Sequence, residues 1–225
     1  MLVLRRFVSL VTVLGAIVAS SSCSTSGRDS ATTVPSTSPS ATLNLSRIAE
    51  LSDDFPPGFT PEPQSGPKAV TPQDAHLISD TVSYGKPLTV DPPECRPLFK
   101  PVEAQAGAEK AGIGAGGPQP PALVVSAVNP VAVPVALPIR GCDRMTFVVA
   151  GAVPDGTAER LTAPHIDGAT TNGVKVFYDG GVEYFYTAIL DGRTYVEVWG
   201  RVGPDFQAEP VLPDLLTKAV AAIRQ

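Results

Sequence analysis

The clearest alternation of apolar and polar positions lies in the last third of the chain. The stretch "GVKVFYDGGVEYFYTAILDGRTYVEVWGRV" (173–202) falls into three runs with a period near two. That period is the mark of β-strands. Asp179-Gly180-Gly181 and Asp191-Gly192 interrupt the runs and supply the positive φ angles of tight hairpin turns. Three antiparallel strands in a meander are predicted. The pattern then changes to a helical one. "LPDLLTKAVAAIRQ" places Leu212, Leu215, Leu216, Ala219, Val220 and Ile223 on one face, with Pro213 in the first turn. Such a helix needs an apolar surface, and the sheet offers one. The fold class predicted is α+β: an antiparallel sheet packed against flanking helices.

Upstream, "LNLSRIAELS" spaces Leu45, Ile48, Ala49 and Leu51 as one helical side, with Asn44 or Ser46 as cap. "FPPGF" stops that helix. Residues 60–75 read as loop. "TVSYGKPLTV" (81–90) reads as one or two short strands, and "PPECRPLFKP" as a helical turn bearing Cys95. The Ala/Gly-rich residues 103–121 begin as a weak helix and end as a loop. "ALVVSAV" (122–128) is a strand, Pro130, Pro134 and Pro138 break the next apolar stretch, and "CDRMTFVVAG" (142–151) is a strand beside Cys142.

The first 42 residues carry a different signal. Arg5 and Arg6 precede an apolar run of about 13 residues and a string of serines. Basic start, short apolar core and small residues describe a secretory signal. The run is too short for a spanning helix of roughly 20 residues. Cys23 follows "SSS" and resembles a bacterial lipobox, in which the thiol takes a diacylglycerol and becomes the mature N-terminus. Residues 24–42 are nearly all Ser, Thr, Ala and Pro and read as a disordered tether open to glycosylation, spanning about 25 Å on average. The organisation predicted is a signal peptide at 1–22, a lipidated Cys23 and tether at 23–42, and one α+β extracytoplasmic domain at 43–225.

Removing the signal takes Arg5 and Arg6 and no acid, so the formal charge moves from −5 to −7. An acidic domain is a poor partner for nucleic acid or an anionic surface. With Cys23 lipidated, Cys95 and Cys142 remain, and in an exported protein they read most simply as a disulfide. Two free thiols or a metal site are the alternatives. A metal site would need further ligands, and His76 and His165 lie far apart in sequence. No cofactor and no metal are expected.

Motifs that carry chemistry are few. Gly112, Gly114 and Gly117 match the dinucleotide fingerprint in form, but weakly helical sequence precedes them and "PQPP" comes after, so they read as loop. Ser83-Tyr84-Gly85-Lys86 has the Ser-x-x-Lys spacing of penicillin-binding enzymes, without a helix to bring Ser and Lys together. His165, near Asp167, reads as a surface histidine, and Asp53-Asp54 as a solvated helix end. Aromatics are more informative. Seven of fourteen fall between 174 and 202. A three-residue first turn and a two-residue second turn place Val176, Tyr178, Tyr184, Tyr186, Tyr195 and Trp199 on one face, with Glu197 among the rings. Phe177, Phe185, Ile189, Val196 and Val198 take the other. Tyr178, Tyr184, Tyr186, Tyr195 and Trp199 are therefore the candidate ligand-binding set, since Tyr and Trp bury area while keeping a polar tip. The plainer reading is that loops or a helix cover this face.

The lipobox-like Cys23, the Ser/Thr/Pro tether, "LSRIAELSDDFPPGF", "DPPEC" and the terminal meander plus helix together resemble small mycobacterial lipoproteins of an uncharacterised family. More distantly, the chain is similar to the extracellular sensor domain of PknH-type kinases. The resemblance implies an antiparallel sheet flanked by helices, disulfide support and a ligand cleft, and it offers no catalytic residues to carry over. The expectation is a non-enzymatic, ligand-binding or sensor-like domain anchored by lipid at the outer face of the cytoplasmic membrane. Its ligand would be a small molecule, a lipid or an envelope protein. A carrier of lipid or envelope glycolipid is the alternative. A hydrolase using Ser83 or His165 comes third.

Overall fold

The computed structural model describes residues 43–62, 66–117, 122–137, 140–151, 153–178, 181–203 and 205–225. The signal peptide, Cys23, the tether, Pro138 and the turn residues Asp179 and Gly180 lie outside them. The strands are β1 (Thr60–Pro61), β2 (Lys68–Ala69), β3 (Leu88–Asp91), β4 (Glu103–Gly116), β5 (Ala122–Ala132), β6 (Arg144–Val149), β7 (Val153–Leu161), β8 (Ala169–Tyr178), β9 (Gly181–Leu190) and β10 (Thr194–Arg201). They form one sheet in the order β1-β4-β5-β10-β9-β8-β7-β6-β3, with β2 also on β4. Every pairing is antiparallel. Helices are sparse: α1 (Pro72–Ala75), α2 (Ala208–Ile223) and 3-10 helices over Leu45–Asp54 and Pro93–Leu98. The α+β expectation is met as a largely antiparallel sheet with few helices and one disulfide.

One face of the sheet is covered by α2 and the first 3-10 helix. Leu212, Leu215, Leu216, Ala219, Val220 and Ile223 all sink into this core, as their spacing predicts. Helix α2 starts earlier than expected, because Ala208 is buried and holds an extra turn, so Pro213 lies inside it. In the first 3-10 helix Leu45, Ile48 and Leu51 are buried and Ala49 is not. Three residues per turn lines up every third residue, which leaves Ala49 off the stripe. Asn44 caps this helix through Oδ1, which accepts from the Ser46 N–H at 3.2 Å.

The other face is covered by the segment from Val70 to Val102. Its second 3-10 helix brings Cys95, Leu98 and Phe99 against Cys142, Met145, Phe147, Val174, Val176 and Phe185. Cys95 and Cys142 are joined as a disulfide across 47 residues of chain. The covalent link ties the cover to the sheet where the cover has little regular structure of its own.

The sequence reading of residues 103–121 is corrected. Most of that stretch is β4, which pairs with β5 on one side and with β1 and β2 on the other. Ala and Gly lack the apolar stripe a helix needs, but Ile113 and Ala115 alternate into the core. Gly112 and Gly114 therefore sit in a strand, not a loop. Pro130 does not end β5. The β4 strand shifts register between Ala104 and Glu109, so the missing N–H of Pro130 falls opposite an irregularity. Of the 81–90 stretch only 88–90 is strand, the start of β3, and the expected loop at 60–75 contains β1, β2 and α1.

The register of β9 also departs from expectation. Tyr178 lies opposite Gly181 and Leu190 opposite Thr194, so the turns span two residues and then three, the reverse of the predicted order. Each one-residue change flips the side chains beyond it. The two changes cancel for β10 and leave only β9 reversed. Tyr184 and Tyr186 thus face α2, while Phe185 and Ile189 join Tyr178, Tyr195 and Trp199. A packing contact fixes this choice. A Cβ on Gly173 would sit 2.9 Å from the Tyr186 ring, so the ring edge packs against a position that glycine leaves open.

The disulfide is expected to stabilise the domain by about 4 kcal/mol through loop closure. Replacing Cys95 and Cys142 by alanine is expected to lower the urea midpoint accordingly while leaving the far-ultraviolet circular dichroism unchanged. An unchanged midpoint would mean that packing alone holds the cover.

Candidate functional site

The flipped strand places a carboxylate among the aromatics. Glu183 stands directly opposite Val176 on β8 and Arg201 on β10, and it is 2% exposed. An ionised carboxylate so far from water needs several donors. Glu183 has them. It accepts the Tyr178 hydroxyl, the Trp199 indole N–H at 2.9 Å and Arg201 Nε at 2.8 Å, and it forms an ion pair with Arg201 Nη2. Arg201 Nη2 also donates to the Tyr178 oxygen at 2.7 Å. The Arg201 side chain is 41% exposed, so this cluster runs from the interior to the surface. Burial and the neighbouring carboxylate push the Tyr178 hydroxyl up to about 12, so it stays a donor at neutral pH.

The turn 79–86 lies within electrostatic reach of the cluster. Asp80 braces it, accepting from the Ser83 N–H at 2.8 Å, the Ser83 hydroxyl at 2.6 Å and the Gly85 N–H at 2.7 Å. Ser79 and Tyr84 adopt φ values of 60° and 50°, which non-glycine residues rarely accept. The turn presents Tyr84 at 61% exposure. Burial raises its hydroxyl pKa, with Glu183 and Arg201 both in electrostatic reach. The outcome is an exposed tyrosine on a strained, braced turn, in electrostatic reach of a half-exposed arginine whose charge is already balanced.

A second feature runs across the same face. The pairings put Ser126, Glu197, Thr187 and Asn172 side by side on β5, β10, β9 and β8. This polar row separates two apolar clusters. Burial raises the Glu197 carboxyl, against the lowering effect of the Tyr195 hydroxyl that donates to it, and Asp80 adds to the rise.

Of the sequence-predicted set, Tyr178 and Trp199 meet at Glu183. Tyr195 is 1% exposed and tied to Glu197, so it is core. Tyr184 and Tyr186 are corrected to the helix face, and Tyr186 is buried there. Glu183, Arg201 and Tyr84 escaped the sequence reading. Their signal was a lone Glu and a lone Arg in two strand runs, which pair only when the β9 register is right. The Ser83 hydroxyl donates to Asp80, and the Lys86 N–H bonds the Ser83 carbonyl in a turn rather than across a turn of helix. His165 and Asp167 are 3.1 Å apart and almost fully exposed. Asp54 pairs with Lys218 at 3.0 Å.

Residues 44–224 match the family described as "Domain of unknown function (DUF5642)". The chain is a DUF5642 protein. The DUF5642 fold is similar to the X-ray structure of an uncharacterized protein (Rv0999 ortholog) from Mycobacterium smegmatis. That likeness has a TM-score of 0.59 at 24% identity, over 82% of this chain and 98% of the other. The chain is also similar to the extracellular domain of PknH from Mycobacterium tuberculosis, with a TM-score of 0.37 at 14% identity, over 80% and 93% of the two chains. Both likenesses were expected from the sequence. None of the curated proteins compared with it matches.

Glu197 makes stability depend on pH. Its folded form holds the proton more tightly than the unfolded chain, whose carboxyl has its usual value of 4.5. Stability from this group is present below 4.5 and falls as pH rises through the higher folded value. Glu197→Gln is expected to remove that fall and to raise Tm at pH 7 relative to wild type. Chemical unfolding of both proteins from pH 4 to 8 checks it, and parallel curves would contradict it.

Proposed function

We propose that this DUF5642 protein is an exported, lipid-anchored and non-enzymatic binding domain of sensor type, held at the outer face of the cytoplasmic membrane by Cys23. The lipobox-like "SSSC" and the Ser/Thr/Pro stretch after it support the anchor and tether. The Cys95–Cys142 disulfide supports an oxidising compartment. The observation that carries the binding reading is the Arg201–Tyr178–Trp199 arrangement around buried Glu183, with exposed Tyr84 in electrostatic reach of it. Tight networks hold their members rigid, and rigid aromatic and guanidinium groups at a surface bind at little entropic cost. The residues that suggested hydrolysis are spent elsewhere, Ser83 on Asp80 and His165 in solvent.

The alternative, a carrier holding lipid between sheet and helix, has less support. Leu212, Leu216, Ala219 and Ile223 are each 0% exposed and fill that space.

Trp199 is the single tryptophan of the chain, and its indole N–H bonds Glu183. Its fluorescence therefore reports on the site. Chain purified from native-host membranes is expected to carry the mass of a diacylglycerol that the Cys23→Ala form lacks. Envelope extract of the same host is expected to shift Trp199 emission in wild type and not in Tyr84→Ala. An unmodified mass would remove the anchor. A shift equal in both proteins would remove the site.

A further inference from the structure

Three segments of the cover meet at one exposed tip. Helix α1 ends at His76, and Leu77 follows it. The turn 79–86 comes back to the same place. A Cβ on Gly85 would sit 2.6 Å from His76 Cδ2 and 3.5 Å from Leu77 Cδ2, so the turn packs directly on these two side chains. Gly85 also has a φ of 78°, in the left-handed region that glycine adopts freely. Lys100 joins from the third segment, its Nζ donating to the His76 carbonyl at 2.9 Å. Asp80 braces the turn from inside through its bonds with Ser83 and Gly85. The tip is therefore held in shape by its own contacts.

Its surface combines two kinds of side chain. Leu77, Tyr84, Val135 and Val148 are the large apolar side chains exposed among the described residues. Two of these four belong to the tip, Leu77 at 42% and Tyr84 at 61%. Apolar groups gathered on a braced, strained turn mark a contact surface more than chance exposure. Cations flank them. Lys86 is exposed at the end of the turn, and Lys100 lies on His76. The carboxylates within the segment 72–86 are Asp74 and Asp80, and both are engaged. Asp74 pairs with Lys110 at 2.5 Å, and Asp80 accepts the bonds of the turn. Lys86, Lys100 and Lys110 outnumber these two acids, so the tip is locally positive on a chain that is acidic as a whole.

Leucine and tyrosine flanked by lysines suit a membrane–water interface. The apolar bodies enter the headgroup layer, the tyrosine keeps its hydroxyl at the surface, and the ammonium groups meet lipid phosphates. Building on the anchored-domain reading above, we propose that the tip formed by Leu77, Tyr84, Lys86 and Lys100 docks on an anionic lipid surface. The contact can be weak. A domain held by a tether of about 25 Å meets the surface at an effective concentration of about millimolar. A few side chains then suffice to hold an otherwise acidic domain in one orientation, with the Tyr84 turn toward the lipid.

The test places an environment-sensitive fluorophore on Leu77→Cys, and on Val148→Cys as control. Val148 is exposed on β6 between buried Phe147 and Val149, so it points away from the cover face. The full chain from native-host membranes is reconstituted in phosphatidylcholine vesicles with and without phosphatidylglycerol, all carrying a lipid-borne quencher. The 77 label is expected to be quenched well above the 148 label when phosphatidylglycerol is present, and high salt is expected to abolish the difference. Each lysine at an anionic surface is worth roughly fivefold in docking, so Lys86→Glu is expected to cut the effect several-fold. Lys86 is exposed, so Tm of that variant is expected to hold. Equal quenching of the two labels, or a 77 signal as strong without phosphatidylglycerol, overturns the proposal. So does a 77 label that ignores vesicles and responds to envelope protein, which would make the tip a protein-docking site. A chain that lacks lipid and leaves the vesicles removes the anchor alone. Mixed with excess vesicles, its 77 label is still expected to exceed its 148 label, and equality there overturns the docking.

Discussion

A carboxylate that water cannot reach must find its partners inside the protein, and Glu183 is that carboxylate. Its oxygens are met by a tyrosine, a tryptophan and an arginine drawn from both flanking strands. None of these donors would be in place if β9 slid by one residue, because Glu183 would then point at α2. An uncompensated charge in that apolar core is far more unfavourable than any gain from repacking. The ion pair adds little stability over an apolar substitute. Its effect is to exclude the neighbouring register.

The architecture depends on that register. With Tyr184 and Tyr186 turned toward α2, the helix face is closed by large side chains, and the Tyr186 ring covers Gly173. With Phe185 and Ile189 on the opposite face, the cover from Val70 to Val102 has apolar partners on the sheet. That cover has few backbone ladders, and the disulfide and Asp80 give it shape instead. The result is a sheet with the aromatic cluster at the Tyr178 end of β8 and a polar row that crosses it at Asn172.

Much of this was legible in the residues. The α2 stripe, the β5, β6 and β8–β10 strands and the cysteine pair can be read from period, turn signals and compartment. The β4 strand was not legible, because "EAQAGAEKAGIGAG" has no strong preference and becomes a strand only by pairing with β5. Nor was the face of β9. Both faces of "GVEYFYTAIL" are apolar, so alternation identifies the strand without saying which side is which. The turn length decides it, and "DGGV" and "LDGR" each permit two lengths. Tyr84 was hidden for a different reason, since its turn comes about a hundred positions before Glu183 and Arg201 and reaches them electrostatically only in the fold.

The most direct test is a double-mutant cycle on Glu183→Ala and Arg201→Ala, read by urea unfolding. Glu183→Ala alone is expected to cost about 3–5 kcal/mol, the penalty for breaking a buried pair. In its presence Arg201→Ala is expected to cost much less than in wild type, giving a coupling well above the roughly 0.2–1 kcal/mol of an exposed pair. Additive effects would contradict the account, because they would mean that the two residues do not meet and that β9 lies in the other register.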